Sequence, residues 1–360
     1  MKVLQVTHRY PPRAGGVETH VQRVSEELVA RGHQVTVVTA DAGADVSGRE
    51  RRDGVRIRRC RGVAPGGAFH FAPGVARVVA DAAGDADVVH AHNYHSFPLA
   101  LAALGSGSRP FVVTPHYHGA SADSVRNRLL ALYRPIGARA LRRADAVVAV
   151  SGWERERLRK DFGVDATVIP NGLDVQRFEN ATPLARERPR PYLLTVGRLV
   201  EYKGVQHAIR ALGSLPEYDL LVAGSGPYRT ELETLARETG VSDRIEFLGF
   251  VDDDDLPSLY AGAAAHLALS THEAYGMTVA ESLAAGTPAL VREAGALVDW
   301  AERADCLGVS RVDPETVADA VRRVVGLDAP ATPLPTWTEV VDELESRYRA
   351  LLPSDAESRP

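Results

Sequence analysis

Lysine is nearly absent from this chain. Among 42 basic residues only Lys2, Lys160 and Lys203 are lysines, and the rest are arginine. The scarcity makes Lys203 worth following. Cysteine is scarce too: Cys60 and Cys306 lie far apart and match neither a disulfide framework nor a metal-ligand spacing. Both read as small buried apolar side chains. No apolar run approaches the ~20 residues of a membrane-spanning helix. The start, MKVLQVTHRYPP, lacks the apolar core of a secretory signal. The expected location is therefore cytoplasmic, either soluble or peripheral on the inner face of the cell membrane. A net charge of -5 and a pI near 6.2 leave no global basic field, so nucleic acid is not an expected partner.

What is present is a pattern of short apolar strands alternating with helical runs. At 360 residues the length suggests two domains. Strands are expected at residues 2–7, 34–39, 87–91, 111–114, 146–150 and 167–169. Val17, Val21, Val24 and Leu28 recur at helical spacing between the first two. The pattern restarts with strands at 192–196, 219–223, 245–248, 265–269 and 288–291. The polar, proline-rich stretch ENATPLARERPRP separates the halves. The fold class is α/β: two doubly wound Rossmann-like domains facing each other across a cleft, with boundaries at 1–175 and 176–336. A terminal helix at 337–352 is free to pack on either. Ligands of such sheets bind at the carboxyl ends of the strands.

Several strand-end loops carry candidate chemistry. Gly15 and Gly16 precede a helix, where backbone N–H groups can approach an anion, although an ordinary tight turn has the same composition. The G-x-G-x-x-G spacing of a dinucleotide site is missing, which disfavours an NAD oxidoreductase. His90 with His92, and His116 with His118, have the alternation of metal pairs. Without a helical H-E-x-x-H arrangement they read instead as hydrogen-bond partners of a sugar, and no metal is expected. In TVGRLVEYKG a strand ends at Gly197, with Arg198 next and Lys203 five positions later. Cations at a strand end suit a diphosphate. In STHEAYGMTVAESLAAGTP, Glu273 precedes a helix mouth formed by Gly276, Met277 and Thr278, whose N–H groups are among the helix's unsatisfied donors. Glu281 is placed in the first helical turn, available to ribose hydroxyls. Helix-dipole complementarity alone accounts equally for Glu281, and a solvated loop carboxylate for Glu273. The run Asp252–Asp255 reads as a solvated charge cluster.

The combination of E-x7-E, its internal glycine and the following AAGTP resembles the retaining glycosyltransferases of the GT-B fold, family four. PPRAGGVETH, VTPHYHG, VAVSGWERERL, VIPNGLDVQRF, VGRLVEYKG and FLGFVDDDDLPSLYAGA extend the resemblance over most of the chain. It implies a nucleoside-diphosphate-sugar donor held mainly by the C-terminal domain. Arg198 and Lys203 would hold the diphosphate, Glu281 the ribose, and Glu273 would face the donor sugar. His116 would lie near the reacting sugar; His118 and His92 are further candidates for sugar or acceptor contact. Gly15 and Gly16 would belong to the loop that approaches the donor and shapes the acceptor side. The segment REAGALVDW departs from the family's Gly-Gly pattern.

The implied reaction is a retaining hexosyl transfer to a hydroxyl acceptor, with no cofactor and no metal. A lipid-linked saccharide or glycolipid is one acceptor class. The segment from Arg126 to Ala146, with arginines among leucines, would then meet an anionic membrane surface. Two other readings share the architecture: a sugar-nucleotide epimerase or hydrolase, which needs no acceptor, and a non-catalytic nucleotide-sugar-binding protein.

Overall fold

The computed structural model describes residues 1–13, 15–41, 48–64, 70–119, 124–183, 188–327 and 333–353, with only the backbone of 124–126. The chain divides into two compact units, one from Met1 to Gly172 completed by the segment that begins at Thr336, the other Leu173–Pro335.

In the first unit β1 (Lys2–Thr7), α1 (Gly16–Ala30) and β2 (Gln34–Thr39) open the chain. There follow β3 (Arg49–Arg52), β4 (Val55–Arg59), α2 (Gly74–Ala83), β5 (Val88–His92), α3 (Phe97–Gly105) and β6 (Phe111–Thr114). The unit continues with α4 (Ser124–Arg143), β7 (Ala146–Ala149), α5 (Gly152–Phe162) and β8 (Thr167–Val168). The sheet order is β3-β4-β2-β1-β5-β6-β7-β8, parallel except for the β3–β4 hairpin. Alternate strand residues face opposite sides. Val3 and Val112 therefore enter one buried cluster, while Leu4, Phe111 and Val113 enter the other.

The second unit contains α6 (Val175–Glu179), β9 (Tyr192–Val196), α7 (Val205–Leu212), β10 (Asp219–Ala223), α8 (Arg229–Glu238) and β11 (Ile245–Gly249). Then come α9 (Leu256–Ala261), β12 (Ala265–Ala268), α10 (Met277–Ala284), β13 (Ala289–Arg292), α11 (Leu297–Ala301), β14 (Cys306–Val309) and α12 (Pro314–Val324). Its parallel sheet runs β11-β10-β9-β12-β13-β14. In each sheet the strand order reverses once, between β1 and β5 and between β9 and β12. Those reversals are where open α/β sheets leave room for a ligand at the strands' carboxyl ends.

The last helix, α13 (Trp337–Leu351), belongs to the first unit, where Val340, Val341, Leu344 and Tyr348 bury against the sheet. Thr336 and Glu339 form a capping box at its start. Arg31, the C-cap of α1, pairs with Asp342 and Glu345 of α13.

Candidate functional site

In the second unit, the reversal between β9 and β12 gathers Arg198, Lys203, Glu273 and Thr278 around one depression. Two close approaches of backbone make this geometry. Gly224 has φ 136, and a Cβ there would collide with the Gly197 carbonyl, so the loops after β9 and β10 pack main chain to main chain. Gly204 has φ 77, and a Cβ there would run into the Leu269 carbonyl at the end of β12. This draws the short helical turn Glu201–Lys203 against the loop that carries Glu273.

Lys203 Nζ donates to Glu273 Oε1 at 2.5 Å, with the two side chains 21% and 20% exposed. Burial works against the ammonium, yet the Glu273 carboxylate outweighs it and holds the Lys203 pKa above its ordinary value. Arg198 is exposed at the edge of the same depression. A ligand phosphate would meet two cations here, one of them already oriented by a carboxylate. The segment that departs from the family pattern backs this loop. Ala296 N donates to the Glu273 carbonyl at 3.0 Å, and Trp300 Nε1 donates to the Tyr275 carbonyl at 2.6 Å.

Gly276 caps α10, and the first donors within the helix are Val279 and Ala280, both bonded to Gly276 O. The Met277 and Thr278 amides precede them, without a side-chain cap. Glu281 is the fifth residue of α10 and so lies beyond its first turn, a correction to the expected placement. Dipole complementarity, which fades within that turn, therefore does not explain it. Its Oε2 accepts from Tyr260 Oη at 2.9 Å. Burial pushes its pKa up to about 7, only partly offset by the tyrosine hydrogen bond. Asp252–Asp255 are exposed, and Arg177 reaches Asp254.

In the first unit, the chain turns at His116 just beyond β6, with φ 48. Glu154 braces this turn: it accepts from Tyr117 N at 2.5 Å and from Val150 N at 2.7 Å. Fully buried, its carboxyl is raised to about 8 by desolvation against those two hydrogen bonds. His116 faces His20 and His92, and the three residues are 6%, 2% and 0% exposed. His92 Nε2 bonds Gln5 Oε1 at 2.6 Å, and His20 Nδ1 bonds Asn171 Oδ1 at 2.9 Å. His92 thus lies beneath the surface and presents no atom to a sugar. Desolvation lowers the pKa of all three; that of His20 falls to about 4. His90 is bonded at both nitrogens, to Tyr348 Oη at 2.6 Å and Thr114 Oγ1 at 2.8 Å. His118 stacks on His95, with ring centroids 3.9 Å apart.

The start of α1 differs from expectation. Gly15 is its N-cap and Gly16 its first residue, but the buried Glu18 carboxylate folds back over Gly15 and meets His8 Nε2 at 3.3 Å. Burial opposes ionisation of Glu18, but His8 outweighs it and the pKa is lowered. A carboxylate already occupies this helix end, so the glycines do not make an anion seat there. His20, Glu18, Glu154 and Tyr260 all lie within motifs singled out from the sequence, yet none was assigned a role. Each is an ordinary helix residue by spacing, and only the fold shows its partners.

Residues 14–177 match Glycosyltransferase Family 4, and residues 176–330 match Glycosyl transferases group 1. The chain is 33% identical over 346 residues to the GDP-mannose-dependent alpha-(1-6)-phosphatidylinositol dimannoside mannosyltransferase of Mycobacterium tuberculosis, covering 90% of this chain and 88% of that protein. It is 32% identical over 367 residues to glycogen synthase of the same species, covering 92% and 87%. Among solved structures, Anabaena HepE in complex with UDP and glucose aligns with a TM-score of 0.77 at 19% identity, covering 97% of this chain and 100% of that one.

Proposed function

This chain belongs to the family-four glycosyltransferases of the GT-B fold, and on that premise we propose that it moves a hexosyl group from a nucleoside-diphosphate-sugar to a hydroxyl on a lipid-linked saccharide or glycolipid. The observation that carries the proposal is the Lys203–Glu273 pair beside Arg198 at the β9–β12 reversal. Breaking the anomeric C–O bond leaves negative charge on the departing diphosphate. In this reading Lys203, Arg198 and the Met277 and Thr278 amides receive it. Removing one such preorganised donor typically costs ~3–4 kcal/mol in the transition state. These cations supply the charge that a divalent ion supplies elsewhere, and the proposed reaction is independent of magnesium. Glu281 accepts hydrogen bonds from the ribose.

The proposed stereochemistry is retention. The acceptor oxygen bonds the anomeric carbon on the face the diphosphate leaves, and the leaving phosphate oxygen takes the acceptor's proton. Glu273 orients Lys203 and the donor sugar, and His116 lies near the reacting sugar. The acceptor class draws support from the mycobacterial relative, whose name specifies a phosphatidylinositol dimannoside. It also draws support from α4, where Leu129, Leu132 and Ile136 are exposed beside Arg128, Arg134 and Arg139. We place the enzyme on the cytoplasmic face of the membrane. The test is a panel of nucleoside-diphosphate-sugars, screened by thermal shift and donor cleavage and followed by acceptor screening and NMR of the product anomer. An α-linked product from an α-linked donor is expected; an inverted product would contradict retention.

A further inference from the structure

We propose that His20, His92 and His116 form a binding site for one divalent transition-metal ion of the zinc class, and that filling this site inhibits transfer by occupying His116. Three segments of the first unit supply the rings: α1, β5 and the turn after β6. One nitrogen from each comes to lie within 4.8 Å of the other two. The inward atoms, His20 Nε2, His92 Nδ1 and His116 Nε2, are buried and have no hydrogen-bond partner.

The outward bonds define what faces inward. Asn171 Oδ1 accepts from His20 Nδ1, and Gln5 Oε1 accepts from His92 Nε2. A neutral imidazole carries one hydrogen, so His20 Nε2 and His92 Nδ1 are bare lone pairs. An oxygen acceptor holding the far nitrogen of these two rings is also the arrangement that orients metal-bound histidine. Two buried lone pairs without a partner are costly, and a cation held by them and by His116 Nε2 satisfies all three rings at once.

The donor set selects the metal class. Three imidazoles suit zinc, cobalt or nickel, whereas magnesium requires oxygen ligands. Zinc–nitrogen bonds of about 2.0–2.1 Å in a tetrahedron place nitrogens ~3.4 Å apart, so the rings close inward by small rotations. The fourth position is left to water. His90 is excluded because both its nitrogens are already bonded. The three ligands belong to the first unit and the residues proposed for the phosphates to the second. Only the inhibition rests on the function proposed above; the binding does not.

The experiment titrates chelator-treated protein with Co²⁺, reading visible d–d absorption and calorimetry, and then displaces it with Zn²⁺. One equivalent of Co²⁺ in a tetrahedral signature is expected, with binding at least tenfold weaker in His20→Asn and His92→Asn that still melt cooperatively. In the wild type, where no folding defect can interfere, Zn²⁺ should shift the imidazole ¹⁵N resonances of these three histidines. No stoichiometric binding at micromolar metal, or undiminished binding in folded His20→Asn, overturns the site. One equivalent of Zn²⁺ should also slow transfer at least tenfold. Binding without inhibition would keep the site and overturn the role given to His116.

Discussion

At the residue scale the Lys203–Glu273 pair decides what each partner does. Glu273 pairs with Lys203, so a diphosphate must compete with it for the ammonium. Replacing Glu273 with Gln should reduce turnover at least tenfold while nucleoside diphosphate binds at least as tightly; tenfold weaker binding by calorimetry would sink this division of labour. Glu281 makes a different prediction. Its carboxyl, raised to about 7, passes from mostly protonated to mostly ionised between pH 6 and 8. Only the ionised form is acceptor-only toward ribose hydroxyls, so nucleoside diphosphate affinity should rise across that interval. Subtracting the same profile for Glu281→Gln removes the phosphate's own ionisation, and equal slopes in both proteins would refute the role. Arg198, Lys203 and Glu273 stand out in the sequence because charged residues in strand-end loops contrast with apolar strands, whereas Glu281 stands out only by its spacing from Glu273. The sequence could not show that Glu273 meets Lys203 across 70 positions, nor that Tyr260 meets Glu281. Pairing across a fold leaves no local trace.

At the element scale α4 is the least settled surface by chemistry. Leu132 is 76% exposed and Ile136 51%, whereas Leu130 and Tyr133 on the opposite face are buried. An outward stripe of apolar residues between arginines should adsorb to anionic liposomes at low salt and release as ionic strength rises. Asp in place of both Leu132 and Ile136 should abolish sedimentation with such liposomes and leave the melting temperature within a few degrees. Unchanged sedimentation would remove α4 from the interface. Most strands could be read within one or two residues, since buried parallel strands form compact apolar runs bounded by turns. The β3–β4 hairpin escaped because RERRDGVRIRR is dominated by arginine. Yet its Asp53-Gly54 turn, with φ 48 and 80, is a strong short-range hairpin signal, and Val55 and Ile57 alternate inward. The edge strand β14, CLGV, is short and only half buried, too little pattern to identify.

At the scale of the whole molecule the two units carry unequal loads of buried histidine. The first holds His20, His90, His92 and His116, all kept neutral by burial. Their folded pKa values are lowered, so the unfolded chain binds protons first as pH falls below about 6.5, and stability falls with it. Each such histidine costs about 1.4 kcal/mol per pH unit until its folded pKa is reached. Glu154, raised to about 8, acts in the opposite sense, but it is one group against four and its gain is complete by about pH 4.5. In the second unit His266, lowered to about 3, is the comparably buried histidine among the described residues. Hydrogen exchange between pH 7 and 4 should therefore show the first unit opening at higher pH than the second; simultaneous opening would contradict the assignment. The function is likewise a property of the whole chain, and its central claim is that Arg198 and Lys203 stabilise a departing nucleoside diphosphate. The most direct measurement is steady-state glycosyl transfer, with the donor and acceptor found by screening, in wild type, Arg198→Ala and Lys203→Ala, each with excess EDTA and with Mg²⁺. For protein freed of bound transition metal beforehand, the account predicts equal wild-type rates under both conditions and at least a tenfold loss in either folded variant. Near-wild-type rates in both variants, or a strict requirement for Mg²⁺, would contradict it.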